Sequence, residues 1–249
     1  MERDFPTPSP SPGLVAENIR QGRWLFRHRS YAPLIPLTYI LVLTAFGPVP
    51  PGGAGALPWW RGAGIVLGFL GLAVRAWTLG VARAGTSSRG TVEPRAAALS
   101  TDGPYSVARH PLYLGNLLLW MGVAVLSGHP VGVAVTPLVF WIYYEKIMMA
   151  EERFLFEEFG PAYGEWVERT PAMLPRLTAY TRSSRSFSAR VAMFRDYQAP
   201  YAFIAATTAV EVARSLGSGG LGFVGPGWAV YFVAGTLAYF GVNMLRRRG

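Results

Sequence analysis

No cysteine occurs in this 249-residue chain, which excludes disulfides and thiolate metal centres and leaves the redox compartment open. Histidine is scarce too: three residues, scattered at positions 28, 110 and 129, give no basis for a zinc or iron cluster. Charge is the third shortage. Only 15% of residues are charged against 51% apolar, whereas ordinary soluble domains carry about 25% charged residues. Such a chain cannot coat itself with a water-facing surface, and its long apolar runs mark an integral membrane protein. Those runs must be helices, because backbone groups in lipid have to pair within their own segment. The formal net charge of +9 would suggest nucleic acid in a soluble protein. Here the arginines flank the apolar runs, so lipid headgroups and topology account for them, and no nucleic-acid partner is expected.

Taken in order, residues 1–13 are rich in Pro and Ser and read as disordered. Residues 14–30 carry Arg20, Arg23, Arg27 and Arg29 with Trp24 and Phe26, an amphipathic segment suited to the membrane surface. Apolar runs follow at about 31–46, 59–82, 112–126, 131–144, 199–216 and 228–245. The second opens on Trp59 and Trp60, residues that anchor helices at an interface. The loops at 47–58, 127–130 and 217–227 contain no Lys or Arg. The N-terminal segment, residues 83–110 with Arg83, Arg89, Arg95 and Arg109, residues 146–198 and the closing Arg246-Arg247-Arg248 are rich in them. The positive-inside rule then predicts six crossings with both termini cytoplasmic. No cleavable signal pattern is expected, since an arginine-rich stretch precedes the first run. The expected organisation is a cytoplasmic N-terminus (1–30), a four-crossing core with a cytoplasmic helix (31–177), a polar linker (178–198) and a two-helix membrane hairpin (199–249).

The chemistry concentrates in Gly103-Pro104-Tyr105-Ser106-Val107-Ala108-Arg109-His110-Pro111-Leu112-Tyr113-Leu114-Gly115-Asn116. Pro111 has the fixed φ and missing N–H that suit the first position of a helix. Arg109 and His110 therefore stand at its mouth, where free N–H groups and the dipole favour anions. Tyr113 falls three residues after His110, on roughly the same face. The tight Ser127-Gly128-His129-Pro130 turn makes the third and fourth runs antiparallel neighbours. The chain thus returns to the level of Arg109, His110 and Tyr113 near Glu151 and Glu152. The acidic helix Glu151–Phe159 is expected to stop at Gly160-Pro161. Tyr163, Trp166, Arg169 and the Pro171–Pro175 segment then lead back along the membrane surface. Cations on one side, with carboxylates and aromatics on the other, suit a zwitterionic amino-acid headgroup attached to a flat ring. No Gly-rich phosphate loop competes with that reading.

The pattern Gly-Pro-Tyr-x-x-x-Arg-His-Pro-x-Tyr-x-Gly, followed by Glu-Glu-x-x-Leu-x-x-x-Phe-Gly-x-x-Tyr-x-x-Trp-x-x-Arg-x-Pro-x-x-x-Pro, resembles the integral membrane methyltransferases. These include isoprenylcysteine carboxyl methyltransferases and phospholipid N-methyltransferases, and the resemblance covers about residues 101–175. It implies an all-α polytopic bundle with S-adenosylmethionine bound at the cytoplasmic face and a hydrophobic or lipid-like methyl acceptor. It implies cofactor contacts from Tyr105, His110, Pro111, Tyr113, Gly115, Glu151, Glu152, Leu174 and Pro175, with the two glutamates meeting the ammonium group. Arg109, orienting a carboxylate or substrate, and Glu152 are the implied catalytic candidates. Many relatives have an arginine just before the Glu pair, where this chain has Ile147, Met148, Met149 and Ala150, which weakens the case for a carboxyl acceptor.

Two readings from other classes stand beside this one. An NADPH-dependent sterol-type membrane reductase shares the His-Pro-x-Tyr-x-Gly junction, but such enzymes continue with an acidic residue where this chain has Asn116. A non-catalytic membrane subunit would explain the departures and would use the C-terminal hairpin as a partner surface. Elsewhere the residues read more plainly. Arg75, inside the second run, stands evenly between a functional charge and a snorkelling one. Glu211 and Arg214 read as a local ion pair, His129 as structural, and Tyr143-Tyr144 as packing or interface belt, with their place near the site keeping a cofactor stack open.

Overall fold

Proline and glycine set where the helices of this chain begin and end. The computed structural model describes residues 13–31, 33–48, 51–82 and 98–248. The expectation of disorder over residues 1–13 falls, but for Gly13, outside the described residues, as do Arg83, Arg89 and Arg95. In chain order the helices are α1 (Leu14–Arg27), α2 (Leu34–Phe46), α3 (Gly53–Val81), the single turn α4 (Pro104–Val107), α5 (Pro111–Ser127), α6 (Pro130–Phe159), α7 (Pro161–Arg169), α8 (Ala189–Asp196), α9 (Gln198–Gly217) and α10 (Pro226–Arg248). Five of them start on a proline, whose missing N–H is harmless there. Among the described residues there is no strand, as the all-α reading requires.

Ala56–Val81, Pro130–Phe159 and Pro226–Arg248 are long and apolar enough to cross a membrane, and Leu34–Phe46 and Pro111–Ser127 are shorter apolar helices. With α9 these are compatible with six crossings. Two elements differ from the sequence reading. The fourth apolar run and the acidic helix are one continuous helix, α6. The residues between them, Glu145 to Ala150, are good helix formers with no breaker among them. The polar linker also contains α8, because Ser188 caps it by accepting from the Val191 N–H at 3.3 Å.

The described residues form two compact units, each discontinuous in sequence. Among the described residues the first draws on 13–31, 82, 98–110 and 140–185. In it α1 buries Ile19, Gly22 and Phe26, spaced to share one helix face, and that face packs on α6. A Cβ on Gly22 would lie only 1.9 Å from the Lys146 carbonyl oxygen, so the two backbones touch. Tyr143 donates to the Leu25 carbonyl at 3.2 Å and Lys146 bonds the Gln21 side chain, which gives Tyr143 the packing role expected of it.

The second unit draws on residues 33–81, 111–139 and 186–249. Its centre is α3 against α5, brought close by glycines. A Cβ on Gly64 would meet the Gly122 carbonyl oxygen at 2.6 Å, and one on Gly115 would meet Arg75 Cγ at 2.5 Å. Small residues at such crossings let helices pack where lipid gives no hydrophobic drive. Ile40, Leu119, Val123, Leu126, Phe203 and Val210 are the buried cluster around this contact.

Two ionic staples tie that unit together. Near the start of α3, Arg61 grips Glu211 of α9 with two donors, one of them Nε at 2.9 Å. Arg214 reaches Glu211 at 3.4 Å and donates to the Leu126 and Ser127 carbonyls at the end of α5. Near the other end of α3, Arg75 bonds Asp196 through Nε at 2.8 Å and also bonds Asn116. Arg61 and Arg75 are fourteen residues apart, about 21 Å of helix rise. The staples therefore lie at well-separated levels along α3. Arg75 does not snorkel, and the local Glu211–Arg214 pair is the weaker half of a longer-range network.

Candidate functional site

The site belongs to the first unit and starts with a turn that only glycine makes easily. Gly103 has φ 59° and opens α4, with Pro104 at its first position. Ser106 Oγ donates to the Gly103 carbonyl at 2.7 Å and accepts from the Thr181 N–H at 2.9 Å. Beyond α4 the chain runs extended against the Pro-rich return. The N–H groups of Arg109 and His110 donate to the carbonyls of Pro171 and Ala172 at 2.9 and 2.8 Å, and the Arg176 N–H donates to the Val107 carbonyl at 3.0 Å. These bonds hold the backbone on which Arg109 and His110 sit.

The opposite wall comes from the end of α6 and from α7. The helix stops at Phe159, Gly160 takes φ 52°, and Pro161 starts α7, as the Gly-Pro stop predicts. Tyr163 and Trp166, on one face of α7, are 3% and 4% exposed, and their rings meet edge to face at 5.7 Å. Trp166 Nε1 donates to the Tyr105 carbonyl at 3.1 Å, locking α7 to α4.

Between these walls four side chains converge. Arg109 donates to Glu152 Oε1 through Nε at 2.9 Å, and its Nη2 lies 2.8 Å from the same oxygen. Its Nη1 donates to the Thr170 carbonyl at 2.6 Å and the Val167 carbonyl at 3.4 Å, a cation capping the C-terminus of α7. His110, 7% exposed, has Nε2 3.0 Å from Glu152 Oε1 and Nδ1 3.6 Å from Glu151 Oε2. All three contacts to Glu152 fall on Oε1. Glu152 lies in the charged extension of α6, past the apolar part that ends near Tyr144. Burial disfavours its ionised form, but His110, by hydrogen bond and charge, and then Arg109 outweigh this and hold the carboxyl below the usual range. Burial together with the charges of Glu152 and Glu151 pushes the Tyr163 phenol up, so it remains a hydrogen-bond donor. That hydroxyl is buried and has no hydrogen-bond partner.

Of the residues singled out in the sequence, the structure brings together Arg109, His110, Glu151 and Glu152, with Tyr105 contributing through its carbonyl. Pro111, Tyr113 and Gly115 lie on α5 in the second unit, where Gly115 serves the close approach to α3. Leu174 is 76% exposed and Pro175 is exposed. Tyr163 was not among the expected site residues. Its signal was the Tyr-x-x-Trp spacing directly after the Gly-Pro stop, which puts both rings on the buried face of α7.

Comparison with known proteins places these residues in a family. Residues 60–162 match the family model described as phospholipid methyltransferase. The chain is 32% identical over 172 residues to the cobalt-zinc-cadmium resistance protein CzcN of Cupriavidus metallidurans, covering 69% of this chain and 74% of that one. It is 29% identical over 177 residues to methanethiol S-methyltransferase 2 of Bradyrhizobium diazoefficiens, covering 65% of this chain and 64% of that one. Over 77 residues it is 32% identical to the protein-S-isoprenylcysteine O-methyltransferase of Schizosaccharomyces pombe, covering 31% and 33% of the two chains. No solved structure matches.

Proposed function

The chain belongs to the integral membrane methyltransferase family, and from that premise we propose that it transfers a methyl group from S-adenosylmethionine to a lipophilic acceptor. The observation that carries this reading is the buried Tyr163 hydroxyl, without a partner, beside a cluster in which Glu152 keeps one carboxylate oxygen uncommitted. A buried hydroxyl left unpaired costs about 1–3 kcal/mol, and a polar ligand in the site would relieve it. Paired carboxylates with a nearby donor fit the ammonium and carboxylate groups of an amino-acid headgroup.

When bound, the donor supplies an electrophilic methyl on a sulfonium, so no side chain has to form a covalent intermediate. The work left to the protein is binding, alignment and exclusion of water. Glu152 Oε2 and Glu151 receive the ammonium group. His110 keeps Glu152 ionised and in place. Arg109, with its donors taken by Glu152 and the end of α7, is a positioning residue and not a ligand for substrate. It holds the carboxylate against a helix terminus that is itself fixed by Trp166. The polar donor would enter from the cytoplasm, the side on which the positive-inside rule puts the arginine-rich loops, and the acceptor from the bilayer.

Calorimetric titration of the full-length protein in detergent tests the reading. S-adenosylmethionine is expected to bind with one site and NADPH not at all. NADPH binding would favour the reductase, and a folded protein that binds neither would overturn the assignment.

A further inference from the structure

The last three helices, α8 to α10, lie beyond the stretch matched by the family model. With α3 they enclose an open groove of about 400 Å³ in the second unit. Small residues, Ala76, Ala192, Gly235 and Ala238, leave the space, and Leu72 and Ile204 help line it. Its aromatic side is a stack in which Tyr239 meets Tyr201 at 4.6 Å and Tyr197 at 5.3 Å. The single carboxylate on its wall, Asp196, is neutralised by Arg75. The lining is therefore mainly apolar with its one carboxylate paired, and suits an apolar chain.

The end of the groove near Tyr197 is different. Arg246, which is exposed, sits over the Tyr197 ring at 5.0 Å. Arg247 and Arg248 follow, and Arg195 has Nη1 shielded from solvent without an acceptor. Arg246, with Arg247 and Arg248 next to it in the chain, thus stands at this end against one aspartate that is already paired. Tyrosine and arginine at the end of apolar helices mark headgroup level. A volume near the low end of small-ligand sites, about 300–1,000 Å³, admits one chain of a lipid and no helix.

We propose that the groove between α8, α9 and α10 holds an acyl chain of an anionic bilayer lipid, its headgroup bound by Arg246 at the Tyr197 end. The groove shares no residue with the Arg109–Glu152 cluster and does not rest on methyl transfer.

The test is native mass spectrometry of the full-length protein, delipidated in detergent and then given phosphatidylglycerol or phosphatidylcholine of the same chains. One phosphatidylglycerol is expected to be retained in preference to phosphatidylcholine. The exposed Arg246→Gln should reduce that preference roughly fivefold. Ala238→Trp fills the groove and should abolish retention of both lipids. Equal retention of the two lipids by the unaltered protein would overturn the proposal. So would normal retention by Ala238→Trp with unchanged helix content, and if that variant does not fold Arg246→Gln decides alone.

Discussion

Glu211 and Glu152 are both carboxylates approached by two cationic side chains, and the difference lies in the second oxygen. At Glu211, 5% exposed, Arg61 takes one oxygen with Nε and the other with Nη2, and Arg214 adds to the first. At Glu152 every contact lands on Oε1. The Tyr163 hydroxyl, close enough for Glu152 to influence it, is left without a partner. A network whose carboxylate is engaged on both oxygens joins elements, here α3, α9 and the end of α5. A network that leaves an oxygen and a hydroxyl open in a buried place joins elements as well, but keeps capacity for a ligand. Satisfaction of the polar atoms, and not the mere presence of buried charge, separates the staple from the site.

The sharpest way to break this comparison is at Glu211. Glu211→Ala leaves Arg61 and Arg214 without their counterion, and removing one partner of a buried pair costs about 3–5 kcal/mol. Thermal unfolding in detergent should show that loss, while the fraction that remains folded binds S-adenosylmethionine as before. A variant that melts with the unaltered protein would remove the staple. Glu152→Gln should do the reverse. It keeps the volume of the side chain but removes a charged acceptor, so affinity for S-adenosylmethionine should fall by about 2 kcal/mol, roughly thirtyfold, with a smaller change in melting.

Tyr163→Phe isolates the hydroxyl. Without ligand the variant should melt at or slightly above the unaltered temperature, since an unpaired buried group is gone. Its affinity should drop by about 1 kcal/mol, roughly fivefold. A melting loss with intact affinity would show that the hydroxyl is structural. The smallest effect expected is on pH. The Glu152 carboxyl is held below its unfolded value, so the unfolded chain binds the proton first and stability rises with pH across that interval. Its contribution is complete above the ordinary carboxylate range, about 4.3, and is lost as pH falls through the folded value. Melting curves between neutral and acid pH should be flatter in Glu152→Gln by that amount.

How far the sequence reached is clearest at particular residues. Pro111 as a helix start, Gly160-Pro161 as a stop and the helical nature of the apolar runs were legible, because each depends on local backbone rules. The convergence of Arg109 and His110 with Glu151 and Glu152 was legible from a four-residue turn between two apolar runs, although the contacts span 42 and 43 residues. The partner of Glu211 was not legible. Arg214 at i+3 was the visible candidate, yet the main partner is Arg61, 150 residues away. Arg75 likewise finds Asp196 across 121 residues. The reach of Arg109 to the Val167 and Thr170 carbonyls was hidden for the same reason, and it turns a residue read as catalytic into one we propose as a positioning group.

By itself the sequence determined that the protein is helical and membrane-embedded, where proline and glycine start or stop particular helices, and which family it resembles. These follow from hydropathy, from proline and glycine geometry, and from motif spacing, all properties of short stretches of chain. Tertiary structure alone decided which charges are spent on holding helices together and which remain open to a ligand. That depends on which oxygen each donor reaches, and a side chain's last hydrogen bond is set by neighbours brought from a hundred residues away.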